Sequence, residues 1–365
     1  MLPTRLPGPQ TLPALFLQLS LVGCANLEPV GPDWESLSLT TFPSITEASL
    51  RGIAAWDENV VWASGSAGTC VRTTNAGQTW TTMQLPGLEE RELRDIHLFG
   101  PDSALVLVVG SPAELWRTED AGENWRLVHR NRDPGMFMDS IDFWPNGRGL
   151  CFGDPVDGAF TIWVSDANGE TWITVPAHAI PSPHPNEAGF AASGTLVRCL
   201  PQGRALVATG GGAARVLETT DYGASWVAHD TPMAQGGTAT GSFSIGVAGN
   251  GSAVLVGGDY TKPQTRSGSA AYSVDGGRHW EPAEAPQPGY RSCVQSVPGS
   301  PDGTWLAVGK GGFSRTVDGG RNWEEMDLPG HYTMAFVPYS GGRSAVAYLA
   351  GAGGALSRLE VSCAH

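Results

Sequence analysis

The sequence predicts an all-β protein, a seven-bladed β-propeller of four-stranded antiparallel blades, and three observations favour this fold. Its 365 residues include 49 glycines and 27 prolines, only 16% of them are charged, and no long stretch has the apolar spacing of a helix. Six segments align on the pattern S/T-x-D-x-G-x-x-W, at intervals of 43 to 54 residues; four hold Asp in the third place, one holds Asn75 and one holds Ala167. Four short apolar segments accompany each motif, and four strands in a period of this length are typical of a propeller blade.

The repeated motif predicts a tight turn between two strands, known as an Asp box. An Asp or Asn in its third place accepts hydrogen bonds from backbone N–H groups about two residues further on, and the Gly permits a positive φ. The Trp begins the next strand, where its ring covers the seam between neighbouring sheets. We therefore interpret the repeated residues as structural: Asn75, Asp120, Asp221, Asp275 and Asp318, with Trp80, Trp125, Trp172, Trp226, Trp280 and Trp323.

The apolar segments around each motif give the strand positions. For the first blade they predict strands at 49–55, 60–65, 69–74 and 80–85. The C-terminal tail holds three further strands without a motif, at 333–338, 344–350 and 355–361. The N-terminal segment 33–39 resembles the strand that follows Trp323, so we expect it to complete the last blade. Closing the ring in this way leaves no exposed sheet edge.

The first 23 residues predict an export signal. They carry one basic residue, Arg5, followed by an apolar stretch at 12–22 that is too short to span a bilayer. The stretch ends in LVGC, which resembles the lipobox of bacterial lipoproteins, so Cys24 is the predicted lipidation site. We expect a signal peptide at 1–23, a linker and anchor at 24–32, and one propeller domain at 33–365, exported to the periplasm, the outer membrane or the cell surface. An ordinary signal peptide or a misplaced start is the alternative.

Composition excludes several functions. Lys and Arg total 22 against 36 Asp and Glu, a net charge of −14, and no basic run is present, so nucleic acid is a poor partner. No cysteines are spaced as CxxC, so we predict no metal site and interpret the scattered cysteines as small apolar side chains. No G-x-G-x-x-G opens a helix and no G-x-S-x-G is present, so we also predict no cofactor.

Candidate binding residues lie on the face opposite the repeated turns. Those turns join the third and fourth strands of a blade, so the starts of the inner strands lie at the other end. We align Arg51, Arg94 and Arg291 at these starts, and three guanidinium groups meeting at one central opening suit a carboxylate or a phosphate. Longer loops on a rigid scaffold extend this surface, and they add Asp154, Asp259 and Tyr260. Alternatively, each arginine pairs with a nearby acid and seals the channel.

The chain from about Trp34 resembles the photosystem II stability and assembly factor-like family of Asp-box propellers, which carry bacterial neuraminidase repeats, in its bacterial non-photosynthetic branch. The resemblance rests on SLRGI at 49–53, VRTT at 71–74, RDI at 94–96 and GYRS at 289–292. It implies a non-enzymatic scaffold whose arginine-bearing surface holds membrane-protein intermediates. We therefore expect a monomer that binds a protein partner or an acidic ligand and touches the membrane only through its lipid anchor.

A glycoside hydrolase similar to sialidases is the competing hypothesis. Those enzymes also carry Asp boxes, and they hold the sugar carboxylate with three arginines. Tyr332 and Glu187 would then form the nucleophile pair, and Asp139 would be the acid. The first blade reads SLRGI where sialidases have a FRIP-like strand, and glycosidase chemistry requires a fixed separation between the carboxyl groups.

Overall fold

The structure is a computed structural model, and it describes residues 34–166, 168–284, 289–300, 303–339, 341 and 344–363. The predicted signal peptide, the linker and the lipidation site Cys24 lie outside the described residues. Contacts group 33–365 into one unit. The described residues of that unit form 30 strands, numbered here in chain order, and three short 3-10 turns at Ala177–Ala179, Pro201–Gly203 and Ala352–Gly354.

The strands follow one another along the chain as four-stranded antiparallel sheets, each of which is one blade. The chain begins with β1 (Trp34–Thr41), which belongs to the last blade. Blade 1 contains β2 (Leu50–Ala55), β3 (Val61–Gly65), β4 (Thr69–Thr73) and β5 (Thr81–Gln84). Blade 2 contains β6 (Leu93–Leu98), β7 (Ala104–Val108), β8 (Ala113–Thr118) and β9 (Arg126–Asn131). Blade 3 contains β10 (Met138–Phe143), β11 (Gly149–Val156), β12 (Ala159–Ser165) and β13 (Trp172–Thr174).

The remaining blades continue this order, with one addition. The two-residue strands β14 (Glu187–Ala188) and β17 (Gly210–Gly211) pair with each other and extend the sheet of blade 5 at its inner edge. Blade 4 contains β15 (Val197–Cys199), β16 (Ala205–Ala208), β18 (Arg215–Thr219) and β19 (Val227–Asp230). Blade 5 contains β20 (Thr240–Val247), β21 (Ala253–Asp259), β22 (Ala270–Ser273) and β23 (Glu281–Pro282). Blade 6 contains β24 (Cys293–Ser296), β25 (Trp305–Gly309), β26 (Gly312–Thr316) and β27 (Glu324–Met326), and blade 7 contains β28 (Thr333–Phe336), β29 (Ser344–Ala350), β30 (Leu356–Cys363) and β1.

The seven innermost strands close a ring around one axis. Each contacts the innermost strand of the next blade, and β28 of blade 7 returns to contact β2 of blade 1. β1 pairs antiparallel with β30, from Thr41 opposite Ser357 to Trp34 opposite Cys363. The predicted seven-bladed propeller, including its closure by an N-terminal strand, is therefore confirmed.

The core lies between the blades rather than in one central layer. Neighbouring blades cover both faces of each sheet, so the second strands are largely buried on both sides and consist mostly of apolar residues. Every residue of β3, β7 and β25 is buried, as are the rings of Trp62, Trp163 and Trp305. Burying one large apolar side chain stabilises a fold by about 1.5–3 kcal/mol, so seven such seams hold the ring together.

The repeated turns share one hydrogen-bond pattern, which differs from the predicted one. Asp120 Oδ1 accepts from the backbone N–H of Asn124 at 2.9 Å, four residues on rather than two. Two consecutive positive φ angles, 62° at Ala121 and 89° at Gly122, widen the turn and carry the donor further along the chain. The same bond is present at Asn75, Asp221, Asp275 and Asp318.

The tryptophans that follow these turns pack against the preceding blade. The ring of Trp80 lies 6.4 Å from that of Tyr348 in blade 7, and the ring of Trp125 lies 6.4 Å from that of Trp62 in blade 1. Where the indole N–H is paired, it donates to the glycine carbonyl three residues earlier, as at Trp172, Trp226, Trp280 and Trp323. By this packing the tryptophans stabilise the contact between each blade and the preceding one.

Candidate functional site

A cavity of about 420 Å³, which we call the mouth, lies where the innermost strands begin. Each innermost strand starts at the end of its blade opposite to the repeated turn, so the mouth and the turns lie on opposite faces. Cations, aromatic rings and one buried carboxyl group line the mouth. Its volume is within the range of about 300–1,000 Å³ that is usual for ligand cavities.

A β-bulge aims one side chain into the mouth from each of four innermost strands. In β2 the pairing register shifts between Leu50 and Gly52, which leaves the residue between them without a partner. A bulged residue leaves the ladder, and the local twist of the strand turns its side chain out of the sheet. The same shift occurs in β6, β10 and β20, and the four bulged residues that line the mouth are Arg51, Arg94, Asp139 and Phe243.

Arg51 lines the mouth without a carboxylate partner in the described part of the chain. Its guanidinium lies 4.1 Å from the centre of the Tyr332 ring, and Nη1 donates to the carbonyl of Ala192 at 3.4 Å. Among the described residues, no carboxylate lies within 4 Å of its nitrogens. Burial and the charge of Arg94 both lower the pKa of Arg51. The negative charge of an anion bound beside Arg51 would raise this pKa and so offset both effects.

Two further cations stand beside it. Arg94 Nε forms an ion pair with Glu92 at 3.0 Å, and Nη1 donates to the carbonyl of Ala191 at 2.9 Å. Lys310 Nζ donates to the carbonyl of Tyr260 at 2.9 Å. The alternative in which arginines pair with local acids therefore holds for Arg94 but not for Arg51.

An aromatic cluster forms one side of the mouth. The rings of Phe190 and Phe243 stack at 3.9 Å with an interplanar angle of 14°, and the ring of Tyr290 meets Phe243 edge-on at 4.9 Å. Tyr260 lies edge-on to the same rings and is 40% exposed. Such a surface offers apolar contact and π faces to a ligand whose charged group reaches the cations.

Two carboxyl groups meet behind the mouth. Asp139 is buried, and burial together with the charge of Asp154 raises its pKa well above the usual range. Burial also raises the pKa of Asp154 to about 6, although Asp154 Oδ1 accepts from the N–H of Gly189 at 2.8 Å. Asp139 therefore tends to hold a proton, and it offsets little of the positive charge in the mouth.

Residues 189–195, which we call the strap, cross the channel beneath the mouth. Ser193 Oγ donates to the carbonyl of Ser292 in blade 6 at 2.6 Å, and Thr333 Oγ1 in blade 7 donates to the carbonyl of Ser193 at 2.8 Å. The hydroxyl oxygens of Thr195 and Ser244, the latter in blade 5, lie 2.6 Å apart. With the bonds from Arg51 and Arg94, these contacts tie the strap to five blades and separate the mouth from the rest of the channel.

The structure brings five of the predicted site residues together in the mouth: Arg51, Arg94, Asp139, Tyr260 and Tyr332. The predicted convergence of three arginines was wrong, because Arg291 is 2% exposed and points into blade 6. Its Nε donates to Ser314 Oγ at 3.1 Å, and Nη2 lies 3.4 Å from Glu325. The neighbouring Tyr290 lines the mouth instead.

A one-residue difference in register explains the position of Arg291. A side-chain carbon added at Gly65 would lie 3.0 Å from the Cα of Leu50, and one added at Gly309 would lie 3.0 Å from the Cα of Arg291. Arg291 therefore matches Leu50 rather than Arg51. Because side chains alternate between the faces of a strand, a shift of one residue turns the guanidinium away from the axis.

The other predicted residues serve local structure. Glu187 forms an ion pair with Arg215 at 2.7 Å and accepts from Thr209 Oγ1 at 2.7 Å, outside the mouth. The nucleophile pair of the glycosidase hypothesis, Tyr332 and Glu187, is therefore not assembled. Asp259 Oδ1 accepts from the N–H of Thr261 at 2.9 Å within its own turn.

Sequence reasoning missed several residues of the mouth. Arginine marks the strand starts less reliably than does the isoleucine that lies two residues after each bulged residue. Aligning on that isoleucine places Phe243 with Arg51. Other residues that it missed come from loops without a repeated pattern: Phe137, Phe190, Tyr290 and Lys310.

Comparisons with known proteins show the fold class. No protein-family model and no curated protein matches the sequence. The solved structure of YCF48 bound to D1 peptide is 17% identical with a TM-score of 0.61, and the match covers 89% of this chain and 95% of that chain. YCF48 from Cyanidioschyzon merolae is 16% identical with a TM-score of 0.60, covering 88% and 98%. An ancestral GH74 enzyme is 14% identical with a TM-score of 0.58, covering 86% of this chain and 45% of that chain.

These likenesses place the chain among the β-propellers. At such identities they show a common fold, and the site has to be argued from its own residues. In the part of the chain that the structure describes, no helix is both long and apolar enough to cross a membrane. The same residues contain no group of three or more His, Cys, Asp or Glu side chains that could hold a metal ion.

Proposed function

We propose that this protein is a binding scaffold that holds an acidic segment of a partner protein in the mouth. One observation carries the proposal: two cations and a partly exposed aromatic cluster line the same cavity. The cations are Arg51 and Lys310, and neither has a carboxylate partner within 4 Å among the described residues. The similar fold of YCF48, solved with D1 peptide bound, supports a peptide as the occupant.

The chemistry of the mouth suits a peptide better than a small inorganic anion. A carboxylate of the peptide would accept from the guanidinium of Arg51 and from Lys310 Nζ, and hydrogen bonds to charged groups contribute about 1.5–3 kcal/mol each. The rings of Phe190, Phe243 and Tyr260 would pack against neighbouring apolar side chains. The bulges and the strap hold these groups in place before binding, so little ordering cost remains on the side of the propeller.

Photo-crosslinking in the native membrane extract tests the proposal. Tyr260, which is 40% exposed at the mouth, is replaced by benzoylphenylalanine, and so in a second variant is Val274, which is 71% exposed beside a repeated turn. We expect a discrete crosslinked partner from position 260 and none from position 274. Equal labelling from the two faces, or no labelling at the mouth, would contradict the proposal.

Charge variants then identify the contacts. The double substitution Arg51→Gln and Lys310→Gln should reduce capture of the partner about a hundredfold or more, since it removes two charge-assisted contacts. Arg278→Gln is the matched control, because Arg278 is an exposed cation beside a repeated turn on the other face. If Arg278→Gln reduced capture as much, the interaction would be general electrostatics and not recognition by the mouth.

We further propose that the chain is exported and anchored by lipid at Cys24, as the sequence of residues 1–24 predicts. Incorporation of labelled palmitate by the full-length protein, and its loss in Cys24→Ser, would support this. Release of an unlabelled, shortened protein into the medium would instead indicate an ordinary signal peptide.

A further inference from the structure

A second cavity lies on the other side of the strap, towards the repeated turns. It has a volume of about 740 Å³, and we call it the lower cup. Residues 193–195 of the strap form its floor, and the second halves of the innermost strands form its walls. Those walls carry apolar side chains, among them Ile53, Ile141 and Val337, beside polar ones such as Gln295 and Ser296. Because the strap separates the two cavities, a ligand of the lower cup need not enter through the mouth.

The acidic groups of the lower cup are already engaged by its walls. Asp95 accepts from the N–H groups of Ile96 and Ile141 and from Ser140 Oγ, and burial still raises its pKa to about 8. Asp142 accepts from the N–H groups of Phe143 and Cys199, and burial raises its pKa as well. The charge of Arg198 also acts on Asp142 and opposes the effect of burial, so neither carboxyl group is free to attract another cation.

The histidine of the lower cup is uncharged at neutral pH. His97 lies between two aromatic rings, 5.0 Å from the centre of Phe99 and 4.2 Å from that of Phe143. Burial, assisted by the charge of Arg117, lowers its pKa to about 4. His97 therefore adds an uncharged ring to the wall of the lower cup.

Arg198 is the only Lys or Arg of the described residues that lines the lower cup. Its Nε donates to the carbonyl of Ile245 at 3.1 Å, but Nη2 is buried and has no acceptor in the described part of the chain. No carboxylate of these residues lies within 4 Å of the guanidinium nitrogens. A buried donor without a partner costs about 1–3 kcal/mol, which an anionic ligand would recover.

Exposed aromatic rings stand at the rim of the same cavity. Trp56 follows β2 and is 42% exposed, and Tyr339 follows β28 of the adjacent blade and is 45% exposed. A large exposed ring at the opening of an apolar cavity is a favourable surface for another ring, since it offers contact area at little entropic cost.

From these observations we propose that the lower cup binds a small organic monoanion with an aromatic or alicyclic body. The carboxylate or sulfonate of the ligand pairs with Arg198, and its body packs between the apolar walls and the rings of Trp56 and Tyr339. This site is separate from the mouth and from the partner proposed for it. A cation or a sugar is disfavoured, because the carboxyl groups are engaged by backbone donors.

A pair of fluorescent probes tests the charge requirement. Anilinonaphthalene sulfonate carries the predicted anion on an aromatic body, and phenylnaphthylamine has the same body without the anion. The wild-type protein should bind the anionic probe more tightly than the neutral one. Arg198→Gln should weaken the anionic probe about tenfold and leave the neutral probe nearly unchanged, since one charge-assisted contact is lost.

Two further variants keep the outcome decisive. Trp56→Ala removes the ring at the rim and should weaken binding of both probes several-fold, which supports the site even if Arg198→Gln folds poorly. Arg278→Gln, at an exposed site, should change neither signal. The proposal is overturned if Arg198→Gln folds and binds the anionic probe as wild type does, or if binding is lost only in the Arg51→Gln, Lys310→Gln double variant, which would place the probe in the mouth.

Discussion

Asp95 is buried where blades 2 and 3 meet, and two effects on its carboxyl group oppose each other. Its oxygens accept from the N–H groups of Ile96 and Ile141 at 2.8 Å and from Ser140 Oγ at 2.9 Å, which favours the charged form. Burial favours the neutral form and is the larger effect, so the pKa of Asp95 rises to about 8. Asp95 therefore links two blades, and its contribution to the stability of the protein depends on pH.

We predict that stability falls as the pH rises above about 5. The pKa of an aspartate in the unfolded chain is about 3.9. Between that value and about 8 the folded state holds a proton that the unfolded state has lost. The free energy of unfolding therefore falls as the pH rises through this window. Each such group contributes up to about 1.4 kcal/mol per pH unit. Urea unfolding of wild type and Asp95→Asn at pH 5 and 8 measures this, and the variant should have the smaller difference between the two. An unchanged difference would contradict the assignment.

Two arginines that occupy similar sequence contexts should respond differently to substitution. Arg291→Met removes a buried guanidinium that bonds to Ser314 and Glu325, so we expect a loss of about 3 kcal/mol in the free energy of unfolding. Arg51→Met should cost less than about 1 kcal/mol, because Arg51 is half-buried and makes one long hydrogen bond. It should nevertheless reduce capture of the partner. Urea unfolding and crosslinking at position 260 measure the two effects, and the reverse ranking would refute the register assignment.

At this scale the sequence identified side chains but not their directions. It predicted that Arg51 and Arg94 lie near one opening, because both stand at strand starts, and both line the mouth. It could not show that Arg291 is out of register. β2 and β6 each contain a bulge, whereas the described pairing of β24 contains none. A bulge is a property of paired strands, and one strand alone does not reveal it.

The strap is the element on which both cavities depend. It has almost no regular structure, and side chains and carbonyl groups of five blades hold it. Gly194 has a φ of +70°, and an added side-chain carbon would lie 2.2 Å from Asp95 Oδ1. Only glycine satisfies both the backbone angle and this contact.

Gly194→Ala should therefore destabilise the protein by about 2–3 kcal/mol, since it combines backbone strain with a clash against a buried carboxyl group. Gly249→Ala is the matched control, because nothing lies within 4 Å of the added carbon and the backbone angle is not positive. It should change stability by less than about 0.5 kcal/mol. Thermal unfolding distinguishes the two, and equal melting temperatures would show that the strap can move aside freely.

Strands were more predictable than the strap. The predicted segments 60–65 and 69–74 differ by one residue from β3 (Val61–Gly65) and β4 (Thr69–Thr73), and 344–350 coincides with β29. Apolar alternation and the repeated turn mark these strands locally. The strap is held by contacts such as Thr333 to Ser193, 140 residues apart in the chain, and no local pattern encodes them.

On the scale of the whole molecule, one strand decides whether the ring is closed. β1 supplies the outer strand of blade 7, and Phe42, just after it, lies 6.0 Å from the ring of Trp80 in blade 1. Without β1 the edge of β30 would be exposed along its length, and unpaired edges promote association between chains. Closure by a strand distant in sequence also couples the first and last blades, so both should unfold together.

Removing residues 1–41 should therefore lower stability and cause association, whereas removing residues 1–32 should do neither. The longer deletion exposes the backbone groups of β30 that pair with Ser36 to Thr41, and it uncovers apolar side chains of blade 7 that Leu37 and Leu39 contact. Size-exclusion chromatography at several concentrations and urea unfolding measure both effects. We expect the shorter deletion to elute as one species with a single unfolding transition, and the longer one to form larger species and unfold at lower urea. If the two deletions behaved alike, the ring would hold without its closing strand, and the coupling between blades 1 and 7 would reside in their inner strands alone.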